Sequence, residues 1–307
     1  MSKIAFIFPG QGAQYIGMGQ DFYEQTEIGR QVFEEASSLL GFSMADLCFQ
    51  ENERLDVTEY TQAAMVTVSI AMMKVLEEKG IKPDAAAGLS LGEYAALVAA
   101  GVISEKDAIT TVRQRGILMQ EAVPQGIGAM AAVLALDPET IEKVISSIPD
   151  VWIANYNCPG QTVISGKKEA VETACIQLKE AGAKRTVMLN VSGPFHSGML
   201  KEAGEKLSKV LEDVEVSTPK IPYVANVTAE FVRDEAMVKP LLKEQVSSSV
   251  RWQQSVETMI REGIDTFIEI GPGKTLAGFM KKINRTVKVL NIEKLEDVEN
   301  VLEALEK

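Results

Sequence analysis

An apolar run over residues 4–8 stops at Pro9-Gly10, and its length and composition predict a short buried strand. Similar runs predict strands over 83–89, 129–136, 151–155, 162–165, 185–190, 221–227 and 265–270, bounded by turn-forming residues. Helical periodicity begins near Asp21 and runs over 58–79, where Gly80 closes it. Further helices are expected over 92–100, 104–122, 167–181, 238–248 and 252–262, with another stretch starting at Pro138. The 104–122 helix opens on Ser104-x-x-Asp107, a pairing in which each residue can satisfy a free donor of the first turn. From residue 129 the order is β-α-β-β-α-β, the split arrangement of a ferredoxin-like unit. It interrupts a larger α/β pattern. The expected organisation is therefore one discontinuous large domain, residues 1–126 and 198–307, with a small domain, 127–197, inserted into it.

At 307 residues, 46% of them hydrophobic and 24% charged, the chain can bury a sizeable core and falls in the soluble globular class. A net charge of −12 argues against nucleic acid as a partner. Basic residues do cluster locally at Lys274, Lys281, Lys282 and Arg285, where an acidic partner protein would find complementary charge. Cys48, Cys158 and Cys175 are widely spaced and form no Cys-x-x-Cys, so neither a disulfide framework nor a metal site is expected. The apolar start is too short for a signal peptide, and the longest apolar stretch, 63–73, is too short for a membrane span. A cytoplasmic protein is expected, with no membrane partner.

Two nucleotide-binding patterns fail. Gly10 and Gly12 would need a third glycine where Tyr15 stands, and Gly273-Lys274-Thr275 would need a glycine at Ile268 to complete a phosphate loop.

The chemistry concentrates elsewhere. Gly88-Leu89-Ser90-Leu91-Gly92 lies between a predicted strand and a predicted helix, the setting of a nucleophile elbow that presents Ser90 to open solvent. A serine hydroxyl needs a base, and His196 is the one histidine in the chain. Gly193-Pro194 before it makes a turn able to present its ring across a cleft. No carboxylate adjoins His196, so its orienting acceptor is either a distant Asp or Glu or a main-chain carbonyl. The amide of Leu91, directly after the serine, and an amide at Gln11, past the first strand, are candidates for an oxyanion hole. Arg115 shares a helical stripe with Ala108, Val112 and Met119; inward, its guanidinium suits a substrate carboxylate, while the same spacing also allows a structural salt bridge or an exposed arginine on a differently rotated helix. Such a site fits a malonyl group better than an acetyl group.

These residues resemble the malonyl-CoA:acyl carrier protein transacylases of bacterial fatty acid synthesis, nearly end to end. The likeness rests on Phe8-Pro9-Gly10-Gln11-Gly12-Ala13-Gln14, Gly88 to Tyr94, Arg115-Gly116 with Met119-Gln120, Asn155-Tyr156-Asn157, Pro159-Gly160-Gln161, Gly193 to Ser197 and Gly271-Pro272-Gly273-Lys274. The resemblance implies a hydrolase-like α/β large domain with a parallel sheet and a ferredoxin-like insertion. It implies that malonyl passes from malonyl-CoA to Ser90 and on to the phosphopantetheine thiol of holo acyl carrier protein, with no cofactor or metal. It also assigns His196 as base then acid, Gln11 and the Leu91 amide to the oxyanion hole, and Arg115 to the malonyl carboxylate. Met119, Asn155, Asn157 and Phe195 fall to the pocket, with Phe195 leaving little room for a branched acyl group. The acceptor that orients His196 is implied at the main-chain carbonyl of Arg251. One departure stands out: many members carry histidine directly before the nucleophile, where this chain has Leu89. Two other readings share the elbow, a serine thioesterase or hydrolase and a noncatalytic module that binds acyl carrier protein.

Overall fold

The computed structural model describes residues 2–191 and 193–306; Met1, Ser192 and Lys307 lie outside the description. Among the described residues ten strands form two sheets: β1 Ile4–Phe8, β2 Ala85–Gly88, β3 Gly128–Leu134, β4 Val151–Cys158, β5 Gln161–Lys167, β6 Arg185–Met188, β7 Tyr223–Val224, β8 Phe231–Val232, β9 Thr266–Ile270 and β10 Lys288–Ile292. The first sheet runs β10-β9-β1-β2-β7-β8 and the second β4-β5-β3-β6. In the first, all pairs are parallel except the edge hairpin of β7 with β8. The second is antiparallel throughout, and the crossing helices Pro138–Ile145 and Lys168–Glu180 complete the ferredoxin-like order.

β1 shows why the parallel sheet reads as a continuous apolar run. Ala5 and Ile7 pack with Trp252, Phe267 and Met280, whereas Phe6 and Phe8 enter the other core with Met65, Ile70 and Tyr94. Helix Thr58–Glu78 fills that second core and is buried almost all round, so it has little amphipathic signature. Its Thr67 hydroxyl returns to the carbonyl of Ala63, which satisfies a polar group that packing has cut off from water.

Small residues bring the elbow together. β2 is Ala85-Ala86-Ala87-Gly88, and a Cβ on Gly88 would lie 2.0 Å from the carbonyl carbon of Gly92. A Cβ on Gly92 would meet the Phe8 carbonyl oxygen at 2.4 Å. The helix Gly92–Ala99 can therefore start directly above the ends of β1 and β2.

Most expected elements are present, with shifted ends. The expected strand over 221–227 is only Tyr223–Val224, because the chain turns back through Ala229, at φ 57°, into β8. β4 extends past 155 to Cys158 by absorbing two register shifts. There the Tyr156 amide donates to the Val250 carbonyl and the Val250 amide to the Ala154 carbonyl, which ties the second sheet to the segment beyond helix Val238–Gln245. β10 and the helices Lys201–Glu212, Thr275–Ile283 and Leu295–Glu306 add to the elements expected by position. β10 is an edge strand with a mostly half-exposed pattern, which weakens its apolar signal.

Candidate active site

Ser90 occupies the turn between β2 and helix Gly92–Ala99 with φ 55°, a left-handed backbone that costs a non-glycine residue on the order of 1–3 kcal/mol. The surroundings hold it there. Its amide donates to Asn226 Oδ1 at 2.7 Å, and Asn226 Nδ2 donates to the Gly88 carbonyl at 2.6 Å. The side chain does not face open solvent as the elbow alone suggests. Ser90 is half-buried at the floor of a cleft of about 600 Å³, because the loop after β1 and the second sheet both rise around it.

His196 lies past β6 and also has a left-handed backbone, φ 56°. Its Nε2 is 2.7 Å from Ser90 Oγ, and its Nδ1 is 2.9 Å from the Gln245 main-chain oxygen. A carbonyl can only accept, so Nδ1 carries the hydrogen and Nε2 is left free to take the serine proton.

The orienting acceptor is thus Gln245 and not Arg251. Gln245 ends helix Val238–Gln245, where a carbonyl has no intrahelical donor. The Arg251 carbonyl is already engaged by the amide and hydroxyl of Ser255 at the start of the next helix. The Arg251 side chain is exposed, lies over the Tyr156 ring at 5.5 Å, and borders a second cavity of about 480 Å³ behind His196.

Burial, and then the Arg115 cation, push the His196 ring down to about 4. The neutral ring is therefore favoured well below the ordinary histidine range. Phosphonylation of Ser90 by a small uncharged serine-directed reagent is expected to hold its rate down to about pH 5 and to fall near pH 4. An acid limb at the ordinary value of 6.5 would show that the folded site does not depress the ring.

Arg115 is 1% exposed, the inward placement of its stripe. It donates to Gln62 Oε1 at 2.6 Å, to Gln245 Oε1 at 3.0 Å and to Ser90 Oγ at 3.0 Å, while its Nε has no partner. Those acceptors are all neutral oxygens. Two amide side chains therefore fix the guanidinium, and its charge remains available to an anion entering beside Ser90.

Leu91 is the residue before helix Gly92–Ala99, where amides have no intrahelical acceptor, so its N–H can serve a developing oxyanion. Gln11 is half-buried on the cleft wall opposite. The Gly12 amide donates to Gln14 Oε1 at 2.7 Å, which shapes that loop. Gly10 presses on Leu89, since a Cβ there would meet the Leu89 carbonyl oxygen at 2.7 Å. Met119, Asn155, Asn157 and Phe195 line the same cleft, and Asn157 Oδ1 is buried without a partner.

No role is expected from the sequence for Gln62, Asn226 and Gln245, nor for Glu93 although it lies within the Gly88 to Tyr94 run. Gln62 has the one available signal, a lone long polar side chain opening the apolar stretch of its helix. Thr275, Leu276 and Phe279 bring helix Thr275–Ile283 to the cleft rim, and Lys281, Lys282 and Arg285 are exposed at its far end. Among the described residues no cluster of three or more His, Cys, Asp or Glu side chains is placed to hold a metal, and no helix is long and apolar enough to cross a membrane.

An α/β body with a serine elbow and an antiparallel insert is the arrangement of an acyl transferase, and the family model for the acyl transferase domain matches residues 5–300. The chain belongs to that family. Within it, the chain is 47% identical to the malonyl CoA-acyl carrier protein transacylase of Bacillus subtilis, over 99% of this chain and 98% of that protein. The crystal structure of malonyl CoA-acyl carrier protein transacylase from Clostridium perfringens superposes with a TM-score of 0.96 at 44% identity, covering 99% of this chain and 98% of that one. A malonyl-transacylase solved in complex with its type II PKS acyl-carrier protein, in the holo form, has a TM-score of 0.96 at 41% identity. It covers 99% of this chain and 100% of that chain.

Proposed function

We propose that this chain transfers malonyl from malonyl-CoA to the phosphopantetheine thiol of holo acyl carrier protein, through a malonyl ester on Ser90. The observation that carries the reading is the sharing of one hydroxyl: Ser90 Oγ meets both the neutral His196 Nε2 and the buried Arg115 guanidinium.

In the first half-reaction Ser90 Oγ bonds to the thioester carbonyl carbon and its proton passes to His196 Nε2. Negative charge on the carbonyl oxygen meets the N–H groups of Leu91 and Gln11. The carbon–sulfur bond then breaks, and His196 returns the proton to the departing CoA sulfur. In the second half-reaction the carrier thiol gives its proton to His196, its sulfur bonds to the malonyl carbon, and Ser90 leaves with the proton restored. Arg115 holds the distal carboxylate through paired donors throughout. Met119, Asn155, Asn157 and Phe195 shape the remaining walls, and the bulk of Phe195 disfavours a branched acyl group.

In this reading residues 1–126 and 198–307 form the catalytic body. Residues 127–197 form the insert, which supplies His196 as well as Asn155, Asn157 and Phe195 to the cleft.

Mass spectrometry after incubation with malonyl-CoA tests the reading. The expected result is a malonyl adduct on Ser90 that is stable in water and discharged by holo acyl carrier protein. Rapid hydrolysis without the carrier points to a thioesterase, and no adduct to a binding module. Arg115→Ala is expected to slow malonyl loading by about 100-fold while residual acetyl loading changes by much less, since only malonyl offers the guanidinium a carboxylate. Equal losses on the two acyl groups would remove Arg115 from the carboxylate site.

A further inference from the structure

Directly after the elbow, Glu93 is 1% exposed and does not line the cleft; its main-chain amide donates to the Ser90 carbonyl, while its carboxylate bonds no residue of the transfer steps above. We propose that Glu93 is a positioning residue, whose carboxylate clamps the Gln245 and Asn226 amides and so sets the Ser90–His196 pair in register. The proposal rests on reading Ser90 and His196 as nucleophile and base.

The clamp is a single oxygen. Glu93 Oε2 accepts from Gln245 Nε2 at 2.7 Å and from the Asn226 main-chain amide at 3.1 Å, while Oε1 is buried with no partner. Each held residue reaches the reacting groups from a different side. Asn226 takes the Ser90 amide and the Gly88 carbonyl, so it grips both ends of the strained turn. Gln245 donates through Nε2 to the Ser90 carbonyl at 3.0 Å, accepts Arg115 on Oε1 and accepts His196 Nδ1 on its main-chain oxygen.

The carboxylate also decides which way the Gln245 amide points. Glu93 Oε2 and the Ser90 carbonyl both require a donor, which turns the amide nitrogen toward them and leaves Gln245 Oε1 for Arg115. Flipped, the amide would set its nitrogen against the guanidinium and its oxygen against the Glu93 carboxylate. With the clamp gone, the Gln245 amide keeps its bond to the Ser90 carbonyl and a long 3.4 Å contact to Asn226 Oδ1 as its ties to the elbow.

The function lies in the acceptor oxygen and not in the charge. Burial pushes the Glu93 carboxyl up to about 7 against the pull of its hydrogen bonds and Arg115. A proton on the partnerless Oε1 leaves Oε2 free to accept as before. Glutamine can mimic that state, with its oxygen on the clamp and its amide nitrogen at the Oε1 position. Methionine fills similar space and accepts almost nothing.

The test is the rate of Ser90 phosphonylation by a small uncharged serine-directed reagent. This reagent engages neither a malonyl carboxylate nor the carrier, so the outcome stays separate from the choice of acyl group. Glu93→Gln is expected to stay within about threefold of the parent. Glu93→Met should be slower by about 10- to 100-fold in the folded fraction, the range expected when buried donors are left without their acceptor. Gln245→Met, which keeps the main-chain acceptor, should slow labelling to a similar degree. The double variant should be no slower than either single one, because both break the same link. The proposal is overturned if Glu93→Met labels at the parental rate, if Glu93→Gln loses as much as Glu93→Met, or if the two methionine effects multiply. Should Glu93→Met not fold, Gln245→Met against its pairing with Glu93→Gln decides. The clamp then requires slowing by the Gln245 change alone and no further loss from the glutamine.

Discussion

Ser90→Ala is expected to abolish malonyl transfer to the carrier, with kcat lower by about 10⁴-fold or more. The size follows from what is lost. Transfer to a second thiol depends on an ester held on the protein after CoA has departed, and among the described residues no other hydroxyl meets His196 Nε2. Oxyanion donors alone can still polarise a thioester, yet they supply nothing to carry the acyl group between two acceptors. His196→Ala should cost nearly as much, because among the described residues Ser90 Oγ then retains the Arg115 contact alone, a donor that cannot take its proton. The double variant should fall little further than Ser90→Ala, since the two side chains act as one unit. Transfer kinetics with malonyl-CoA and holo carrier protein give all three numbers, and an additive double variant would separate the pair.

Gly88→Ala is expected to be the most damaging single methyl group in the chain. Its Cβ would sit 2.0 Å from both the carbon and the oxygen of the Gly92 carbonyl and 2.4 Å from the Glu93 amide. All three are backbone atoms of the first turn of a helix, so no rotamer change relieves the clash. Either β2 and helix Gly92–Ala99 separate or the elbow tilts. Stability should fall by roughly 3 kcal/mol, at the upper end of overpacking costs. Activity in the remaining folded protein should drop by about 100-fold, since a displacement near 1 Å misaligns Ser90 with His196. Gly278→Ala is the matched control: nothing lies within 4 Å of its added Cβ, and its helix Thr275–Ile283 should gain up to about 1 kcal/mol. Urea unfolding of both variants, read beside Ser90 labelling, checks the pair. A parental midpoint for Gly88→Ala would contradict the tight elbow.

Local chemistry was the legible part. The apolar runs and their breakers placed both sheets' main strands, because buried strands carry their burial pattern in their own residues. The Gly-x-Ser-x-Gly run announced the elbow because only glycine tolerates backbone contacts as close as those at Gly88 and Gly92. The stripe of Ala108, Val112 and Met119 set Arg115 on an apolar face, since helical period decides which side chains share a face, and the packing buries that face. By contrast, β10 and the short hairpin of β7 with β8 sit at sheet edges, where half-exposed residues blur the pattern.

Ser90, His196 and Arg115 were thus singled out by the sequence itself: the elbow is local, the histidine has no rival, and helical spacing sets Arg115 beside three apolar residues. The tertiary structure decided what surrounds them. It placed Ser90 at the floor of a cleft instead of in open solvent, and it chose the Gln245 carbonyl over that of Arg251 to orient His196. It also brought Glu93, Asn226, Gln245 and Gln62 around the reacting groups. These are closures between segments distant along the chain. A helix's last carbonyl is free in every helix, and only the packing of one element on another decides which of them meets an imidazole.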